Sequence, residues 1–163
     1  MQVILGIDPG FQTTGVAVIC QQDTMLRYQY ANVISTDASA SSSKRLQTIY
    51  QQINDVLHCY QPNVAGIESL FFVKNISSAI PVAMAMGVII LALEQKGIPI
   101  YKYGPTEIKK TVVGVARGDK NQVMHMVHFL LGIQETVSNK HMTDALAVAI
   151  THAHSGGNIS HAI

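Results

Sequence analysis

The sequence predicts an α/β domain: a mixed five-stranded sheet flanked by helices on both faces. Three observations predict it. The first part of the chain carries three apolar, β-rich runs separated by turn chemistry, which reads as an antiparallel meander. The remainder alternates short apolar strands with longer segments of helical periodicity, and closes with helices. No internal repeat and no linker interrupts the 163 residues, a length that suits one domain.

The elements follow in order. Val3–Asp8 is an apolar run ending in an acid, and Asp8-Pro9-Gly10 is turn chemistry. Thr14–Ile19 and Arg27–Ile34 are the second and third strands. A polar loop, Thr36–Ser43, leads into a helix marked by Leu46, Ile49, Ile53, Val56 and Leu57, which Gln61-Pro62-Asn63 stops. Val64–Glu68 is a fourth strand, again ending in an acid. Asn75–Ser78 offers caps for a helix to about Lys96, with Gly97 after it and Pro81 acceptable only in its first turn. Ile98–Tyr103 is the fifth strand. Gly104-Pro105-Thr106 starts a short helix through Val112 that Gly114 ends. Arg117–Lys120 is a polar loop, and Asn121–Leu131 and Lys140–Ala153 are the last helices. The domain is expected over residues 1–154, with a Gly/Ser/Asn-rich tail, 155–163, that frays.

Hydrophobic residues make up 48% of the chain and charged residues 13%, about half the usual charged share. This excludes a disordered acidic or basic chain and points to apolar surface hidden in an oligomer. The helix segment Ile80–Leu93 is apolar on every side, so it belongs in the core or in an interface. The formal net charge is only +1, but residues 96–120 hold six basic side chains (Lys96, Lys102, Lys109, Lys110, Arg117, Lys120) against Glu107 and Asp119. A stripe that meets phosphates and an ordinary solvated face both fit that run. Cys20 and Cys59 stand in no CxxC or Cys/His cluster, which suits free thiols in a reducing, cytoplasmic setting. The N-terminus opens on an apolar strand without a basic leader, and Ile80–Leu93 is too short to span a bilayer comfortably, so no membrane association is expected.

Two strands end alike, in Gly6-Ile7-Asp8 and Gly66-Ile67-Glu68. Neighbouring parallel strands would bring these carboxylates together, where like charges repel unless one protonates or a cation joins them. Hard cations such as Mg²⁺ prefer carboxylate oxygens. Taken singly, Asp8 also fits a turn start and Glu68 a lysine partner. The last helix adds His141 and Asp144 at i, i+3 on one face, although an Asp in a first turn also fits a capping or helix-dipole role.

The motifs together resemble the RuvC family of bacterial Holliday junction resolvases, which have an RNase H-like fold. The resemblance rests on Gly6-Ile7-Asp8-Pro9-Gly10 with Thr14-Gly15, on Gly66-Ile67-Glu68-Ser69-Leu70-Phe71-Phe72-Val73-Lys74-Asn75, and on Lys109-Lys110-Thr111-Val112-Val113-Gly114. Lys120-Asn121-Gln122-Val123 and Asp144-Ala145-Leu146-Ala147-Val148-Ala149-Ile150-Thr151-His152 complete it. It implies four metal ligands, Asp8, Glu68, His141 and Asp144. Family members carry Asp or His at the position of His141, and imidazole suits Mn²⁺ and other transition ions somewhat better than it suits Mg²⁺. Two Mg²⁺ ions per site, replaceable by Mn²⁺, are expected to drive phosphodiester hydrolysis to 5′-phosphate and 3′-hydroxyl ends, with Asp8 as the bridging ligand.

By the same resemblance Lys109 and Lys120 face DNA phosphates, with Lys110, Arg117 and Lys74 as electrostatic helpers. Phe71, in a loop after the fourth strand, is expected to stack on an unpaired base, against the alternative that it belongs to the core. His125, His128, His152, His154 and His161 read as packing or surface residues. The resemblance further implies a homodimer acting on four-way junction DNA, with the branch-migration proteins RuvA and RuvB as partners. Other RNase H-like nucleases, an actin-like ATPase and a non-catalytic junction binder are the rival readings. The chain is too short for the second domain of the ATPase, and the four candidate ligands speak against an inert binder.

Overall fold

The computed structural model describes residues 1–69, 76–133, 137, 139–156 and 162–163. Strands β1 (Gln2–Asp8), β2 (Thr13–Gln22) and β3 (Met25–Ser35) form the expected antiparallel meander. Helix α1 (Ser42–Tyr60) leads to β4 (Val64–Glu68), which pairs parallel to β1. Helix α2 (Ile76–Glu94) leads to β5 (Ile100–Tyr103), parallel to β4. Helices α3 (Pro105–Val113), α4 (Lys120–Leu131) and α5 (Lys140–Ser155) follow. The sheet order is β3-β2-β1-β4-β5, so β1 lies at the centre. A strand buried on both faces reads as a continuous apolar run, and Ile4, Leu5 and Ile7 are fully buried.

Helices cover both faces, as expected. One core lies between the sheet and α1/α2 and includes Ile7, Ile49, Ile53, Ile67 and Ile89. The other lies between the sheet and α3–α5 and includes Ile4, Tyr103, Leu146 and Ile150. Burying each such isoleucine contributes roughly 1.5–3 kcal/mol, which offsets the ordering cost of the strands that carry it. His152 belongs to the second core. Its Nδ1 lies 2.7 Å from the Tyr103 hydroxyl, in agreement with a packing role.

Local chemistry sets the helix ends. Ser41 caps α1, and Gln61 ends it in the left-handed region at φ 46°. Pro105 opens α3, and Gly114 closes it at φ 79°. Asp119 and Gln122 form a capping box on α4, so the polar loop expected over 117–120 ends one residue early. One feature departs from expectation: Pro81 is the sixth residue of α2, past the first turn, and cannot donate to the carbonyl four residues back. Helix α2 sends Ala85, Met86, Ile89, Ala92 and Leu93 into the core and leaves Ile80, Met84 and Leu91 exposed. Ala162 bridges Tyr101, and the Ile163 N–H donates to the Ile100 carbonyl at 3.0 Å.

Candidate active site

Register brings the two acid-ended strands together. In the parallel β1–β4 pair, Gly6 lies opposite Gly66 and Ile7 opposite Ile67, so the two Gly-Ile-acid triplets run side by side. Strand alternation sends Ile7 and Ile67 into the α1/α2 core and turns Asp8 and Glu68 to the other face, where α5 lies.

Two glycines let α5 sit on that face at backbone contact. A Cβ on Gly6 would overlap the Ala145 carbonyl oxygen, and one on Gly15, which pairs with Asp8 across β1–β2, would overlap the His141 carbonyl oxygen. Asn139 caps α5 by accepting the His141 N–H at 2.9 Å. The first turns of α5 therefore lie over Asp8. His141 Nδ1 comes to 2.7 Å from Asp8 Oδ2, with both side chains largely buried at 27% and 18% exposure.

Burial is the main influence on all three carboxyl groups, and it favours their neutral forms. Glu68 is pushed up to about 7 by burial first, then by the charges of Asp8 and Asp144, with Lys109 opposing. Asp8 is raised by burial against the hydrogen bond and charge of His141 and the charge of Lys140. Asp144 is raised by burial and by Asp8, against Lys120, His141 and Lys140. Three partly buried carboxyl groups, with Asp8 raising the proton affinity of Glu68 and Asp144 and Asp144 raising that of Glu68, stand beside an imidazole, a donor set that a hard cation would relieve. Among the described residues no three such side chains close into a ready-made cage.

Glu68 and Asp144 also line a cavity of about 160 Å³, together with Ile108, Lys109, Lys120 and Val123. Lys109 comes from α3 and Lys120 from the first turn of α4, so two cations from separate helices reach the acidic cluster. A larger depression of about 630 Å³ opens elsewhere, lined by Met1, Gln2, Gln21, Asp23 and His152 among others. Among the described residues Asp23 is its single acid, and they gather no comparable set of donors there.

Comparisons with known proteins identify the family. Residues 4–152 match the family model described as crossover junction endodeoxyribonuclease RuvC. A RuvC from Treponema pallidum is 40% identical over 154 residues, covering 94% of this chain and 79% of that protein. One from Clostridioides difficile is 40% identical over 153 residues, covering 94% and 90%. The solved structure of T. thermophilus RuvC in complex with Holliday junction substrate superposes with a TM-score of 0.92 at 31% identity, covering 99% of this chain and 98% of that one. The chain belongs to the RuvC family of crossover junction endodeoxyribonucleases. Its sheet and helices are the RNase H-like fold of that family.

In this RuvC-family chain the structure brings together Asp8, Glu68, His141, Asp144, Lys109 and Lys120. Lys110 and Arg117 are exposed and do not line the acidic cavity. Phe71 and Lys74 lie outside the described residues. Sequence reasoning missed Lys140, whose charge acts on both Asp8 and Asp144; its place beside His141 in a helix's first turn was the available signal. It also missed what Gly6 and Gly15 do, although Gly15 stands in the Thr14-Gly15 motif.

The Glu68 shift has a definite sign. Its folded value, about 7, lies above the ordinary 4.5. The folded state therefore holds the extra proton between those values, and stability falls as pH rises through that window. In cation-free protein, Glu68→Gln is expected to stabilise by up to about 3 kcal/mol at pH 8 and by little below pH 4.5. Chemical denaturation at the two pH values checks this; an equal effect at both would contradict it.

Proposed function

We propose that this nuclease cuts four-way DNA junctions with Asp8, Glu68, His141 and Asp144 as its metal ligands, and the observation that carries this reading is the in-register Asp8–Glu68 pair beneath the first turns of α5. When bound, two Mg²⁺ ions, or Mn²⁺ in their place, would supply activation of water and neutralisation of phosphate charge. Asp8, on the central strand, lies between the other donors and fits the shared ligand. Glu68 and Asp144 hold the flanking positions, and His141 keeps its Nδ1 on Asp8 while its other ring nitrogen remains for a second contact. Lys109 and Lys120 draw the scissile phosphate into the cavity and favour the ionised forms of Glu68 and Asp144. Breaking the bond to the 3′ oxygen leaves 5′-phosphate and 3′-hydroxyl ends. Lys110, Arg117, Lys74 and Phe71 extend the reading outward along the DNA, Phe71 as a stacking residue.

The same reading makes the chain a homodimer. Ile80, Met84, Gly87 and Leu91 recur at helical spacing on the open side of α2, a stripe that a second copy would cover. A two-fold pair presents two sites for two symmetric nicks. Leu91→Glu is expected to weaken dimerisation on the order of 100-fold, the scale of losing a central anchor. Light scattering would read this as loss of the dimer mass; an unchanged dimer would place the interface elsewhere. RuvA and RuvB enter as partners through the family alone. The described residues form no helix long and apolar enough to cross a membrane, and the free Cys20 and Cys59 fit action in the cytoplasm.

The test is cleavage of an end-labelled four-way junction beside a matched linear duplex, in Mg²⁺, in Mn²⁺ and in EDTA. Paired nicks across the junction, absent in EDTA, are expected. Binding without cutting in either metal would reduce the protein to a junction binder. Equal cutting of the duplex, or of RNA, would indicate another RNase H-like specificity.

A further inference from the structure

The loop that leaves Asp8 is fastened to helix α1 by one residue, Arg45. Its Nε donates to Thr36 Oγ1 at 2.9 Å, and its Nη2 donates to Gln12 Oε1 at 2.5 Å and to the Phe11 carbonyl at 3.4 Å. The guanidinium carbon lies 4.0 Å from the centre of the Phe11 ring. Thr36, only 5% exposed, completes the join. Its Oγ1 donates to the Phe11 carbonyl at 2.8 Å, its N–H donates to the Gln12 carbonyl at 3.0 Å, and its own carbonyl accepts from Gln12 Nε2 at 2.9 Å.

The inner side of the same turn is held separately. Fully buried Thr14 donates from Oγ1 to the Gly10 carbonyl at 2.6 Å and accepts the Gly10 N–H at 3.3 Å. The backbone two to four residues beyond Asp8 is thus fixed from both sides. On the outer side the links converge on a planar guanidinium, which a lysine ammonium does not replace.

We propose that Arg45 is a positioning residue for Asp8. Through Phe11, Gln12 and Thr36 it holds the turn that sets the Asp8 carboxylate in its cation-binding orientation. Arg45 itself reaches neither Asp8 nor its partner His141 by any hydrogen bond in the structure; it acts through the loop. The inference rests on the reading of Asp8 as a metal ligand. Partners that orient a ligand typically govern metal affinity by about 10–100-fold.

The test is Mn²⁺ binding, read by electron paramagnetic resonance on the full chain without DNA. The variants are Arg45→Met, Arg45→Lys, Thr36→Val, the Arg45→Met/Thr36→Val pair, and Asp8→Asn. Arg45→Met is expected to weaken Mn²⁺ binding by about 10–100-fold, with Arg45→Lys restoring only part of the loss. Thr36→Val shifts it in the same direction, and the double variant loses less than the product of the singles because both belong to one clamp. Junction affinity in EDTA stays within twofold of the parent, roughly the scatter of independent sites. Ile53→Val, a core change on the same helix, lowers stability without moving Mn²⁺ affinity. Unchanged Mn²⁺ affinity in both Arg45→Lys and Thr36→Val would overturn the proposal, even if Arg45→Met failed to fold. So would a loss of junction affinity with Mn²⁺ binding intact, which would make Arg45 a DNA contact. Intact Mn²⁺ binding in Asp8→Asn would overturn the ligand reading itself, and the positioning role with it.

Discussion

Asp8→Asn is expected to lower junction cleavage by at least about 10³-fold, the upper scale for losing one preorganised charged contact at a reacting centre. The amide keeps the shape of the side chain and removes its charge. Asp8 is the residue on which the rest of the site converges: it pairs with His141 at 2.7 Å and raises the proton affinity of both Glu68 and Asp144. With its charge gone, Glu68 and Asp144 ionise more readily, but the proposed shared ligand is lost. Junction binding should change far less, because phosphate contacts supply most of a protein's affinity for DNA. Single-turnover cleavage and junction binding in EDTA separate the two effects. A variant that binds normally and still cuts within tenfold of the parent would remove Asp8 from the chemistry.

The second large effect lies at a residue with no side chain. Gly15→Ala is expected to destabilise the fold by about 2–3 kcal/mol or more, the range for overpacking a tight contact. The added carbon would overlap the His141 carbonyl oxygen, a backbone atom that no rotamer change can move aside. Helix α5 must then shift, carrying His141 and Asp144 away from Asp8 together. A displacement of about 1 Å in a reacting constellation can cost on the order of 100-fold in rate. The folded fraction of Gly15→Ala should therefore cut poorly while its circular dichroism spectrum stays that of an α/β fold. Gly104→Ala is the control: Gly104 has φ −76° and nothing within 4 Å of an added Cβ. Denaturation and single-turnover assays on both variants decide the matter. Equal behaviour would mean that the α5–β2 contact yields more easily than its geometry implies.

Much of this site was readable from residue patterns because it is built from local signals. The acids at strand ends and the i, i+3 spacing of His141 and Asp144 each declare themselves within a few residues. What the pattern could not carry was contact between distant backbones. That β4 would lie beside β1 in register, and that Gly6 and Gly15 would admit α5, depend on packing that leaves no periodic trace. Helix α2 stayed open between core and interface for a different reason. When the core face and the open face are both apolar, helical periodicity falls silent, and burial cannot be told from an exposed stripe. Arg45 was not singled out, because its partners lie 9, 33 and 34 residues away. The readings of Phe71 and Lys74 fall outside the described residues.

The pairing of Asp8 with His141 spans 133 positions of sequence, joining strand β1 to helix α5. Loop closure on that scale is slow and comes late in folding. Because synthesis runs from the N-terminus, a growing chain displays β1 and β4 long before α5 exists. It carries two of the acids then, but neither His141 nor Asp144. On the proposed ligand set, an unfinished or prematurely terminated copy lacks two of its four donors, so topology alone would withhold the cutting centre until α5 is translated and seated.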